Sequence, residues 1–122
     1  MGAVGAVDVW AQQPNALFRS QPWLATLNRW TGKSGDEPPV TTDQSVAAMD
    51  AGGVDIAFLS AWCGPRGWLI SNEEVMTSVA EAPARLRALI SVDLNDPMGA
   101  VRAIRAHAND PNVVGVRVVP WL

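Results

Sequence analysis

The residues predict an α/β fold of parallel strands joined by crossover helices, and three observations predict it. Short, continuous apolar runs recur at residues 4–10, 54–59, 86–94 and 113–119, and stretches with helical spacing separate them. Apolar residues make up 48% of the chain and charged residues only 17%, the balance of a well-buried sheet rather than of a disordered chain. A length of 122 residues suits one domain over residues 1–122.

Residues 4–10, interrupted only by Asp8, predict the first strand. Prolines at 14, 22, 38 and 39 and the turn-rich residues 31–36 predict a long loop over 11–39. A short helix over 22–30, carrying Trp23, Leu24, Leu27 and Trp30, fits inside it. Thr42 or Asp43 can cap a helix from Gln44 that turns Val46, Ala47 and Met49 inward and stops at Gly52-Gly53. The second strand follows at 54–59, then a Gly- and Pro-containing loop over 62–67. Asn72 is the expected cap of the next helix, with Glu73 and Glu74 in its positive first turn and Val75, Met76 and Val79 inward. Pro83 ends it, and residues 86–94 form the third strand. Asp96-Pro97 opens a third helix, in which Met98, Val101 and Ile104 keep helical spacing. A turn over 109–112 leads to the fourth strand, 113–119, ending at Pro120.

Strands alternating with helices in this way specify βαβ units and a parallel sheet. Two architectures use that string: an open doubly wound sheet, or part of a (β/α)8 barrel. Residues 7–12 contain no Gly-rich turn through which backbone amides approach a pyrophosphate, which argues against a nucleotide site and favours the barrel.

A net charge of −3 without a basic stripe gives nothing to neutralise a nucleic-acid backbone. The single cysteine, Cys63, cannot form an internal disulfide, which suits a reducing cytoplasm. The apolar opening lacks a basic leader and meets Asp8 too soon for a signal peptide or membrane span.

Residues 7–12 (VDVWAQ), 53–59 (GVDIAFL), 89–93 (LISVD) and 115–120 (GVRVVP), in that order, resemble the opening half of amidohydrolase-related metal-dependent hydrolases. The family includes lactone and amide hydrolases and decarboxylases of aromatic acids. The resemblance implies parallel βα units forming roughly half of a (β/α)8 barrel, with hydrolysis or decarboxylation of a small organic acid as the complete family's activity. It also implies a divalent metal, zinc, held in that family by an Asp-x-His-x-His motif ending the first strand. Here the two histidine positions hold Trp10 and Gln12. An indole nitrogen has no lone pair to offer and an amide oxygen is a poor zinc ligand, so no metal site is expected in this chain.

Candidate site residues lie at the expected strand ends, where barrel enzymes carry their chemistry. Asp93, after the third strand, and Asp8, within the first, are candidate catalytic acids, although a turn and a buried hydrogen bond explain them equally well. Trp10, Trp62, Trp68 and Trp121 can line an aromatic mouth for a planar substrate, and Arg66 beside them can hold a carboxylate bidentately. Cys63 has no histidine near it in sequence, and His107, near the end of the third helix, belongs to the outer surface. Asp8 and Arg117 are the only charges in the first and fourth strands, which otherwise expose apolar edges and predict self-association. Two functions fit: a truncated hydrolase-like barrel without its metal site, and a non-catalytic half barrel that self-associates or binds an aromatic ligand.

Overall fold

The computed structural model describes residues 5–120. Four parallel strands form one sheet: β1 (Ala6–Ala11), β2 (Val54–Ser60), β5 (Leu86–Ile90) and β6 (Val113–Val116), ordered β1-β2-β5-β6. They follow one another in chain order, without the reversal at which a doubly wound sheet opens its ligand crevice. A two-stranded antiparallel hairpin, β3 (Trp62–Gly64) and β4 (Gly67–Ile70), follows β2. The sequence had predicted a loop there. Its strands are too short to show alternation, but Gly64 pairs with Gly67 and leaves Pro65-Arg66 as a two-residue turn.

Residues 11–39 carry more structure than their prolines suggest. Asn15 caps α1 (Ala16–Arg19), its side-chain oxygen accepting from the Phe18 N–H at 2.8 Å. A 3-10 turn at Pro22–Leu24 runs into α2 (Ala25–Thr31), so the helix expected over 22–30 is present in two parts. Leu24 is buried, whereas Leu27 and Trp30 remain exposed.

α3 (Thr42–Gly52) and α4 (Asn72–Glu81) each begin with a reciprocal capping box, Thr41 with Gln44 and Ser71 with Glu74. The caps therefore sit one residue before Thr42 and Asn72. α3 ends where Gly53 adopts φ 69°, a left-handed conformation that glycine accepts without a Cβ clash. α5 (Pro97–His107) starts at Asp96 as expected but buries none of its residues, and Met98, Val101 and Ile104 stay exposed.

The register divides the sheet into two faces. Ala57 lies beside Leu86 and Leu59 beside Ala88, and these four join Met49 of α3 and Val75 and Val79 of α4 in the core. Period-two alternation places Ile56, Phe58 and Ser60 on the other face. Ile90 follows Leu86 and Ala88 onto the helix-covered face, and Val116 pairs with Ile90. Apolar character alone groups Ile56, Phe58, Ile90 and Val116 on one inner face of the sheet; the register corrects this and separates Ile90 and Val116 from Ile56 and Phe58. The third strand also ends at Ile90 and the fourth at Val116, short of the predicted bounds, while the first runs on to Ala11.

Among the described residues no helix is long and apolar enough to cross a membrane.

Candidate functional site at the carboxyl ends of the strands

β1 is irregular where it matters. From Asp8 to Ala11 the chain takes three steps while its partners, Ala57 to Leu59, take two, so β1 carries a bulge. The Asp8 carboxylate accepts the Trp10 N–H at 2.9 Å, using a donor that would otherwise face a neighbouring strand. Bulges re-aim side chains, and here the Trp10 indole lies against a cation from the other edge of the sheet. The Arg117 guanidinium sits 3.8 Å from the centroid of Trp10 and 4.4 Å from that of Trp62.

Backbone bonds fix Arg117 in place. Its N–H donates to the Ile90 carbonyl at 2.8 Å, and its carbonyl accepts from the Ser91 hydroxyl at 2.7 Å. Ser91 is clamped in turn by Asn72, the first residue of α4. The Asn72 amide donates to the Ser91 carbonyl at 3.0 Å and accepts the Ser91 N–H at 2.8 Å. One chain of bonds thus runs from the start of α4 through the end of β5 to Arg117.

Trp62 is equally constrained. It stacks on Trp23, with centroids 5.8 Å apart and planes 14° from parallel, and meets Phe18 edge-on at 5.0 Å. Four buried donor atoms in this part of the fold lack a hydrogen-bond partner: Nη1 and Nη2 of Arg117, Nε1 of Trp62 and the hydroxyl of Ser60, the last residue of β2. Burial lowers the pKa of Arg117, yet a guanidinium keeps its proton at any ordinary pH. All four groups donate, so the complementary ligand atom is an acceptor, and beside a cation it is an anion. Stacking occupies the faces of a guanidinium and leaves its edge N–H groups in plane, the geometry a carboxylate engages bidentately.

The predicted residues that the structure describes fall in four places. Trp10 and Trp62 come together around Arg117. Asp93 lies three residues beyond β5 in a cavity of about 200 Å³ shared with Cys63, Val92, Asn95 and Pro120, and its carboxylate accepts the Asn95 N–H at 2.8 Å. Burial raises the pKa of the Cys63 thiol, and the charge of Asp93 raises it further, which keeps the sulfur protonated and weakly nucleophilic. Asp8 is exposed and lines a different cavity, of about 300 Å³, with Gln12, Gln44 and Met49 against α3. Arg66 occupies the hairpin turn and lines a third cavity. Trp121 lies outside the described residues.

Arg117 and Ser60 are the residues that sequence reasoning missed. A lone arginine in the apolar run 113–119 looked like a charge guarding a strand edge, and Ser60 simply ended a run of apolar residues. The usable signal was shared position: both stand at strand ends of a parallel sheet, near tryptophans that also follow strand ends.

A divalent metal does not fit where the resemblance would put it. Trp10 replaces the first imidazole, and a guanidinium lies 3.8 Å from its ring. A cation beside a group that is already positive, with no lone pair from the indole, has neither charge complementarity nor a ligand. Comparison of the chain with protein-family models, with curated proteins and with solved structures finds no match.

Proposed function

We propose that the chain is an amidohydrolase-related half barrel whose carboxyl rim binds the carboxylate of a small organic acid, with Arg117 in place of a metal ion as the positive group. The observation that carries this reading is the guanidinium between Trp10 and Trp62 with both terminal nitrogens buried and unpartnered. Sequential parallel strands with α3 and α4 on one face support the barrel scaffold. An organic acid suits the site, because its carboxylate meets the guanidinium edge in plane. Two charge-assisted hydrogen bonds of about 1.5–3 kcal/mol each place the dissociation constant between several millimolar and roughly tens of micromolar. The residues bind and orient an acid.

Calorimetric titration with benzoate tests the reading. Arg117→Lys keeps the charge but loses the planar fork, so it is expected to weaken binding at the rim about tenfold, and Arg117→Gln to abolish it there. Unchanged benzoate affinity in Arg117→Gln overturns the assignment.

A second reading, self-association, is favoured by Val7 and Val9 on edge strand β1 and Val114 and Val116 on edge strand β6, all exposed. Light scattering after size exclusion is expected to give a dimer or larger species. A monodisperse monomer removes this reading.

A further inference from the structure

The geometry points to a second ligand site, separate from the rim, in the cleft between the β3–β4 hairpin and the α1–3-10 segment, and it takes a planar aromatic monoanion. The cleft has a volume of about 400 Å³, within the range of small-molecule sites. Leu17, Trp23, Trp68 and Leu69 supply its apolar walls, and Gln21 and Arg66 its polar groups. Trp23 and Trp68 are each 39% exposed, so large aromatic surface remains open to a guest.

The cleft is built in advance. Asn15 joins its two sides: its amide donates to the Leu69 carbonyl of β4 at 2.8 Å, while its oxygen caps α1 through the Phe18 N–H. The same amide reaches Glu74 of α4 at 2.9 Å, and Gln21 donates to the Leu17 carbonyl at 3.0 Å. The hairpin turn is held by Pro65 and by Gly67 at φ 119°, a conformation closed to side chains with a Cβ. A ligand therefore meets a formed cleft and bears little of the ordering cost that weakens binding to mobile loops.

Charge decides the class of occupant. Arg66 stands exposed at the turn and forms no ion pair with the described residues. No carboxylate of the described residues lines the cleft. Flat indole walls favour a flat guest, and the guanidinium favours a carboxylate or sulfonate on its edge.

Titration of the whole chain with 2-naphthoate, followed by the side-chain nitrogen-15 signals of Arg66 and Arg117, tests the proposal, because each arginine reports its own site. The Arg66 signals are expected to move saturably with 2-naphthoate. Arg117→Gln is expected to leave the midpoint of that response unchanged, so the two sites fail separately. Trp68→Leu, which removes a wall, is expected to weaken the Arg66 response about tenfold and to leave the Arg117 response unchanged. If the Arg66 signals do not move, or if Trp68→Leu leaves their midpoint unchanged, the cleft is not the site.

Discussion

Replacing Asn72 by Ala tests how the rim is held. Asn72 is buried, and both of its amide bonds go to the backbone of Ser91, a residue with no solvent exposure. Without the amide, the Ser91 N–H and carbonyl each lose a partner in a place water does not reach. Each orphaned group costs about 1–3 kcal/mol, so the pair amounts to about 2–6 kcal/mol. That is a large share of a total near 5–15 kcal/mol for a domain of this kind. With a urea slope of about 1–3 kcal/mol per molar, the unfolding midpoint is expected to fall by about 1–2 M at unchanged slope. Asn72→Asp separates hydrogen bonding from packing. It keeps the shape and the acceptor for the Ser91 N–H but sets a carboxylate oxygen against the Ser91 carbonyl, so it is expected to lose as much. Urea unfolding followed by far-UV circular dichroism reads both. A midpoint within about 0.3 M of the parent for either variant would refute the claim that this clamp fastens α4 to the end of β5.

Three further outcomes are expected. Leu86→Ala empties a fully buried position beneath α3 and α4 and should cost about 2–5 kcal/mol in the same assay. Cys63 should resist iodoacetamide in the native state and react once urea unfolds the chain, because burial and Asp93 hold its thiol protonated; rapid native alkylation would contradict this. Burial pushes the Glu74 carboxyl up, but hydrogen bonds from the Ser71 N–H, the Asn15 amide and the Ser71 hydroxyl outweigh it and leave the pKa below the ordinary 4.5. A lowered folded-state pKa contributes stability above the unfolded value and loses it as pH falls through the folded one. Glu74→Gln should therefore be less stable than the parent at pH 7, with the gap closing below about pH 4.5 when unfolding is measured across pH.

How much of this was legible in the residues depends on how far each determinant reaches along the chain. The four parallel strands were legible because each is a compact apolar run, and α5 because Asp96-Pro97 is a local start signal whose side chain accepts the Gly99 N–H at 2.9 Å. Both earlier caps were read late, that of α4 by one residue and that of α3 by one or two, and α3 begins two residues before the expected Gln44. Asn72 and Thr42 or Asp43 are good caps by type, but Ser71 with Glu74 and Thr41 with Gln44 complete the reciprocal pattern. The bulge in β1 was not legible, since it depends on how Asp8 pairs with Trp10 against β2. For the same reason the partition of Ile90 and Val116 from Ile56 and Phe58 escaped, because register is a relation between strands. At the site, tryptophans at strand ends pointed to the right rim, and Trp10 and Trp62 do meet there. The group between them directly follows β6, more than 50 residues from Trp62 and more than 100 from Trp10, and nothing local marks Arg117 as theirs.

The most direct test of the central claim is nitrogen-15 NMR of the arginine side chains during a benzoate titration. The Arg117 Nη signals are expected to sharpen and move downfield with saturable dependence on benzoate, as two buried donors gain a carboxylate, while those of Arg85 and Arg102, outside both sites, stay in place. Arg117 signals that do not move while benzoate binds, or that move no more than those of Arg85, would contradict the assignment of the rim.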